Sequence, residues 1–245
     1  MIVKFSNITK ETGERVEGYI RKKGINFNAV LNLGNSNLNE EYYKDKQIFN
    51  KTLSVKSCVD KKVMFNLFKH DGIKSLNYID IKSKFGLFKS LFYLINRDLC
   101  LRKNGGLKVV KDFKDFFETY KNYDYATVKE NKVLEWRVIV FNNKIKRAIV
   151  KIPKKQDCKL KQENSKFIDV PINLLRGDIK EESIKSATCL GLDLCGVDVI
   201  INDKDKVKVI ECNSGLAMCG KSIKLLFNEL YWMYMFGGIK ENDGC

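Results

Sequence analysis

Two acidic residues set into neighbouring apolar strands constrain this chain most. In the stretch from Gly196 to Gly215, GVDVIINDKDKVKVIECNSG, Asp198 lies inside one β-branched run and Glu211 near the end of the next, with NDKDKV between them as a turn. Pairing Asn202 with Val207 across that turn sets Asp198 opposite Glu211. Side chains alternate faces along a strand, so both acids point to one side and Asn213 falls on that side one step further along. Opposed carboxylates repel, and the flanking Val197, Val199, Ile200, Ile201, Val209 and Ile210 leave little solvent to screen them. A hard divalent cation relieves that repulsion, and an all-oxygen set suits magnesium or manganese shared with substrate phosphates. The same pattern also suits a hairpin with exposed acids at its open end, and a bulge would break the register.

Composition narrows what such a hairpin serves. The 245 residues are 44% apolar with two prolines, enough to bury a sizeable core and unlike a disordered chain. The net charge of +15 favours polyanionic partners, but the lysines are spread along the sequence without a basic tail, which also describes a solvated surface. The eight cysteines form no CxxC pair and only one histidine, His70, accompanies them, which argues against zinc and for reduced thiols in a cytosolic protein. The start MIVKFSNITK has no apolar signal segment, and LLFNELYWMYMF is too short and too polar to span a membrane. These features read as a soluble, cytoplasmic protein.

Along the chain, residues 1 to about 50 mix short apolar runs with Gly13, Gly18, Gly24 and Gly34, the pattern of strands and turns. Val63, Leu67 and Phe68 recur at helical spacing between a capping Asp60 and Gly72, predicting a helix over 60–71. From Leu91 to Val110 two apolar runs flank RKNGG and predict a hairpin. Phe113, Phe116, Phe117 and Tyr120 form one stripe of an amphipathic helix expected to face the core. LEWRVIVFNNKIKRAIVKI predicts a second hairpin turning at Asn142 and Asn143. Lys154 to Lys166 reads as an exposed loop, GDIKEESIKSATCLGL as a helix capped by Asp178, and Ser222 to Phe236 as a last helix closed by Gly237 and Gly238. Mixed helices and hairpins predict an α+β fold with largely antiparallel sheets.

Two further stretches bear on anion binding. RDLCLRKNGGLKVV gathers Arg97, Arg102, Lys103 and Lys108 around Gly105 and Gly106, where backbone amides could approach a phosphate. Asn-Gly-Gly is also an ordinary hairpin turn, and neither a Walker loop nor a dinucleotide fingerprint is present. NLLRGD places Arg176 just before a helix start, a position suited to an anion and also to a solvent-facing arginine.

Taken in order, these pieces resemble the ATP-grasp superfamily, most closely the carboxylate-amine ligases similar to the ribosomal-protein glutamate ligases and their phage-encoded relatives. The stretches that carry the likeness are DKKVMFNLFKHDGI, INRDLCLRKNGGLKVV, LEWRVIVFNNKIKRAIVK, and NLLRG followed by GLDLCGVDV and VIECNSG, together covering about residues 55 to 220. The resemblance implies a short N-terminal lobe over 1–54, a small lid part over 55–123 and a part bearing the metal site over 124–245. It implies ATP as cosubstrate, with magnesium or manganese on Asp198, Glu211 and Asn213. Lys61, with Lys62 as its alternative, and Arg97 would meet the phosphates, Gly105 and Gly106 would close over them, and Val128 and Lys129 would meet adenine through their backbone. Asn173 belongs to the same nucleotide set, while Arg137, Lys151 and Arg176 would hold the carboxylate and its acyl phosphate.

The implied activity is an ATP-dependent, amide-forming ligation on an amino acid or a peptide or protein end. Phosphoryl transfer needs positioning and countercharge more than a protein nucleophile, so a single histidine is compatible with it. The chain departs from the family pattern with Arg97 at the second lysine, Leu107 in the lid and no proline after Asn213, and its N-terminal lobe is short, though LNLGNS is similar to a loop of the phage relatives. Two other readings stay open: an ATP-binding protein of the same fold without ligase activity, and a basic nucleic-acid-binding module.

Overall fold

The computed structural model describes residues 1–24, 27–103, 106–153, 165–216 and 220–236. In chain order it builds three sheets that meet around the acidic hairpin. The first holds β1 (Ile2–Phe5), β2 (Ala29–Leu33) and β3 (Gln47–Phe49), all parallel, with α1 (Lys10–Lys22) crossing between β1 and β2. Strands and turns were expected here, yet Gly13 and Gly18 lie inside α1. A Cβ on Gly13 would fall 2.0 Å from the Phe5 ring, so this glycine lets the helix rest on the first strand. The antiparallel expectation likewise fails for this sheet, because parallel neighbours require the helical crossover that α1 provides.

The second sheet, ordered β4-β7-β5-β6 and antiparallel, is built from β4 (Tyr78–Ile79), β5 (Leu99–Lys103), β6 (Gly106–Val110) and β7 (Tyr125–Val128). The helices α2 (Thr52–Val59) and α3 (Lys61–His70) precede it, and α4 (Lys84–Leu94) and α5 (Phe113–Thr119) pack on it. Asp60 caps α3 as expected, its carboxylate accepting from the amides of Lys62 and Val63. The hairpin expected from Leu91 begins at Leu99 instead. Leu91 and Leu94 close α4, whose start is fixed by Ser83 accepting from the Gly86 amide. In α5 only Phe116 is fully buried, while Phe113 and Phe117 stay about half exposed; two helical turns can cover the core with one row only.

The third sheet, ordered β10-β9-β8-β11-β12 and antiparallel, contains β8 (Lys132–Phe141), β9 (Lys144–Pro153), β10 (Ser165–Val170), β11 (Leu194–Asn202) and β12 (Val207–Asn213). Asn142 and Asn143 both take positive φ, 49° and 57°, in the tight turn that joins β8 to β9. α6 (Gly177–Cys189) covers one face and α7 (Gly220–Met235) part of the other. Asp178 does not cap α6: Arg176 occupies the cap position, and the Asp178 carboxylate accepts from the Ile179 amide within the first turn. Most of the loop expected over 154–166, and Gly237 and Gly238, lie outside the described residues.

Three apolar clusters hold these parts together. One lies between α3, α6 and the third sheet, a second joins the first sheet and α7 to that sheet's opposite face, and a third fills the second sheet. Asn50 fastens the first sheet to the third. Held at φ 59°, it donates through Nδ2 to the carbonyls of Asn32 and Leu194 and accepts from the Leu194 amide, while its own amide donates to Asp193. The outer edge of β12 is covered too: Leu76 donates to the Val209 carbonyl at 3.1 Å and Val209 donates to the Lys74 carbonyl at 2.7 Å.

Candidate active site

The third sheet presents two unlike faces. Val138, Val140, Val197, Val199, Val209 and Cys212 point toward α6 and are fully buried. On the opposite face successive rows of cross-strand neighbours carry charge. Ile149, Arg137, Asp198 and Glu211 form one row across β9, β8, β11 and β12; Lys151, Glu135, Ile200 and Lys208 form the next. Gly196 and Asn213 pair in the row beyond.

Asp198 therefore stands opposite Glu211 as the alternation predicts, but by a different route. At the turn Ile201, not Asn202, pairs with Val207, because Asn202 turns its side-chain oxygen onto the amides of Lys204 and Lys206. A bulge between Asp198 and Val199 then inserts Ile210 on β12 and restores the pairing by one residue. The bulge thus makes the acid pair rather than breaking it.

Each acid is held by a base. Arg137 grips Asp198 with Nε and Nη2, both at 2.8 Å, and Lys61 at the start of α3 reaches Glu211 at 3.2 Å. Asn213 Nδ2 donates to both acids, at 3.1 Å to Asp198 and 3.2 Å to Glu211. Burial and the neighbouring Glu211 push the Asp198 carboxyl upward against the pull of Arg137. Burial also acts on Glu211, but Lys61, Asn213 and Arg102 outweigh it and hold that carboxyl below the usual range. Burial opposes the Lys61 charge, and Glu211 reverses the balance, so the ammonium is held more firmly than in water.

This donor set fits a hard cation. Oxygens of both carboxylates already converge on one nitrogen, the Asn213 amide, and a half-turn of that carboxamide brings its oxygen to the same place. The raised Asp198 carboxyl marks negative charge that the present neighbours do not fully compensate. Among the described residues no cluster of three or more His, Cys, Asp or Glu exists, so any cation here would rest on two carboxylates and a carboxamide.

Several expected residues gather round this point and others do not. Lys151 pairs with Glu135 at 3.1 Å one row from Arg137. Lys62 turns away from Glu211 to Asp80, at 2.8 Å. Arg97 stands apart from the acids, in a polar cleft of about 510 Å³ with Lys129, Lys206 and Lys208. The basic residue that β5 directs toward Glu211 is Arg102, five positions on. The amides of Val128 and Lys129 are spent on the carbonyls of Asn77 and Asp98, so a backbone contact from these two to a base would fall to their carbonyl oxygens. A Cβ on Gly106 would meet nothing nearer than 3.8 Å, so packing does not demand glycine there; Gly105 lies outside the described residues. Arg176 is taken up by Asp178 at 2.8 Å and by Asp205 in the β11–β12 turn, and Asn173 is exposed in the short helical turn Ile172–Leu174.

Glu135 is the residue that the sequence reading left without a role, although period-two counting from Arg137 places it on the charged face; Arg102 was expected as countercharge at the glycine turn and not as the neighbour of Glu211. Two glycines set the frame. A Cβ on Gly196 would lie 2.5 Å from a methyl of Leu216, so a side chain two residues before Asp198 would force Leu216 to shift where the chain after Asn213 folds back over the strand. Gly34 of the LNLGNS loop, at φ 79°, packs against Gly215, where an added Cβ would come within 3.2 Å of the Gly215 Cα. Cys58 donates to the Cys212 carbonyl at 3.1 Å, and burial pushes its thiol up to about 11, so it supports β12 and is no nucleophile at neutral pH. His70 is exposed at the far end of α3, paired with Asp71.

This architecture is that of the ATP-grasp fold. A family profile for the RimK-like ATP-grasp domain matches residues 119–228. The D-alanine–D-alanine ligase of Bacillus anthracis complexed with ATP superposes with a TM-score of 0.69 at 14% identity, covering 95% of this chain and 93% of that one. The ATP-grasp ligase PsnB complexed with a minimal precursor gives 0.62 at 14% identity over 79% of this chain; the chain spans 66% of PsnB's length. The N5-carboxyaminoimidazole ribonucleotide synthetase of Thermotoga maritima gives 0.56 at 15% identity, over 82% of this chain and 54% of that one. No curated protein matches the sequence. The chain has the ATP-grasp fold, and its residues 119–228 are similar to the RimK-like ATP-grasp domain.

Proposed function

We propose that the chain is an ATP- and magnesium-dependent carboxylate-amine ligase acting through an acyl phosphate on an amino acid or on a peptide or protein end. The observation that carries this reading is the convergence of Asp198, Glu211 and Asn213 with Lys61, Arg102, Arg137 and Lys151 around the charged face of the third sheet. The RimK-like domain and the likeness to solved ligases support it.

Magnesium, when bound, would neutralise charge between the phosphates and the two carboxylates. Lys61 and Arg102 stand on the side of Glu211 that faces α3 and the second sheet, and supply countercharge to phosphate oxygens there. Arg137 offers a planar fork that already fits a carboxylate, as its grip on Asp198 demonstrates, and can hold the donor substrate's carboxylate in the same way. Lys151 lies one row further along the same face and adds charge as phosphate builds on the substrate.

In this scheme a carboxylate oxygen takes the γ-phosphoryl group and ADP leaves. An amine nitrogen then attacks the acyl carbon, inorganic phosphate departs, and the nitrogen gives up its proton. Little covalent work falls to the protein, consistent with the burial of Cys58, Cys100, Cys195 and Cys212 and with a histidine that is remote. The test is ADP and phosphate release over a matrix of amino acids and peptide ends. Release that needs both a carboxylate and an amine, and that falls in Arg137→Ala and Lys151→Ala, supports the reading. Tight ATP binding with no release from any pair would remove the ligase activity and leave only the nucleotide site.

A further inference from the structure

We propose that the cleft between α3 and α4, with the aromatic stripe running out of it along α4, docks an acidic amphipathic peptide segment. The cleft holds about 480 Å³ and lies beside Lys62, Phe65, Lys69, Ile79, Phe85 and Lys89. It is separate from the charged face of the third sheet: Lys61 reaches from α3 to Glu211, whereas the next residue, Lys62, turns to Asp80 on the cleft side.

α4 is apolar on two sides. Gly86, Ser90 and Leu94 are buried against the second sheet, and a Cβ on Gly86 would overlap the Asp80 carbonyl, so this helix sits as close as backbone allows. Its outer side carries Phe85, Phe88, Phe92 and Ile95, exposed by 77%, 70%, 63% and 65%. At about 100° per residue these four fall in an arc of about 80°, a continuous stripe. Scattered exposed apolar residues are ordinary, but three phenylalanines in one row form the kind of patch that marks an interaction surface.

Charge selects the partner. Neither α3 nor α4 contains an acidic residue. Lys84 and Lys89 flank the stripe on either side, and the exposed Lys69 lines the cleft. The one acid lining the cleft, Asp80, is already paired with Lys62 at 2.8 Å. The complement of this surface is a segment with two or three large apolar side chains at helical spacing and glutamates or aspartates around them. Two facts favour a peptide over a small ligand: the cleft is open, and the stripe continues beyond it, past Lys89 to Ile95, for nearly two helical turns. The ligase reading enters only in one respect, that the docked segment belongs to a peptide substrate and lies outside the bond being made.

The experiment is fluorescence anisotropy without nucleotide. The probe is a labelled peptide with Leu and Phe at helical spacing and Glu elsewhere, set beside its Lys-for-Glu counterpart. The proposal expects saturable, salt-sensitive binding of the acidic peptide alone, weakened about tenfold or more by Phe88→Ser and by the pair Lys69→Glu and Lys89→Glu. The charge-reversed pair should gain the basic peptide. These residues are exposed, so unchanged thermal midpoints will confirm that the variants fold. Equal binding of both peptides, binding of the acidic peptide that the substitutions leave untouched, or no binding would overturn it. So would a dimer in solution that Phe88→Ser converts to monomer, since a second copy would then cover the stripe. Peptide binding that survives where ADP release is never found would remove the ligase reading and leave the docking site standing.

Discussion

The two faces of the third sheet share every strand and have opposite natures. Val197 and Val199 are buried without remainder, while Asp198 between them shares its row with Arg137 and Glu211. One face gathers apolar area against α6 and stabilises the fold. The other concentrates charge where burial is already deep enough to push the Asp198 carboxyl upward, so it lowers stability, as expected of the cation and phosphate site proposed for it. A period of two lets five strands serve both purposes, and a single bulge at Ile210 keeps the acids in line when the turn is one residue out of step.

The sharpest way to break this contrast is to exchange the two chemistries at adjacent positions. Val197→Asp places an unpaired charge in the core and should leave no cooperative unfolding transition by circular dichroism. Asp198→Asn, one residue on, should stay folded and lose ATP turnover by about a hundredfold or more, read as ADP release. If both variants unfold, the charged face is structural. Gly196→Ala tests the frame: its Cβ would press on Leu216, costing about 1–3 kcal/mol, and each kcal/mol should lower the melting midpoint by ~2–4 °C.

The smallest effect concerns pH. Arg147 first, then Lys221, hold the Asp169 carboxyl down to about 2 from its ordinary 3.8. Because the folded value is depressed, the stability contributed by these pairs is complete above about pH 4 and is lost as the pH falls through about 2. A carboxyl NMR titration should show Asp169 still charged at pH 3, and a midpoint near 4 would contradict the pairing.

Much of this was legible in advance for local reasons. Asp60 followed by a 3.6-residue apolar pattern fixes α3, and paired asparagines between β-branched runs fix the β8–β9 turn. The acid pair was counted from a turn register one residue out of step, and the bulge at Ile210, which alternation does not show, brings the two acids opposite each other. What escaped depends on tertiary contact. Gly13 looks like a turn residue until Phe5 is placed beneath it, and α4 hides inside a hairpin pattern because its apolar residues line both sides. Arg97 and Arg102 are equally basic in sequence; only the pairing of β5 with β7 decides which one faces Glu211.

Thermal unfolding with and without magnesium-ATP, in the wild-type chain and in Glu211→Ala, tests the charged face most directly. A ligand at about one hundred times its dissociation constant adds roughly 2.7 kcal/mol, which for a chain of this size raises the midpoint by about 5–11 °C. The structure predicts that rise in the wild type with magnesium, little of it without the metal, and none in Glu211→Ala. An unchanged wild-type midpoint, or an equal rise in the variant, would contradict a cation and nucleotide site on Asp198, Glu211 and Asn213.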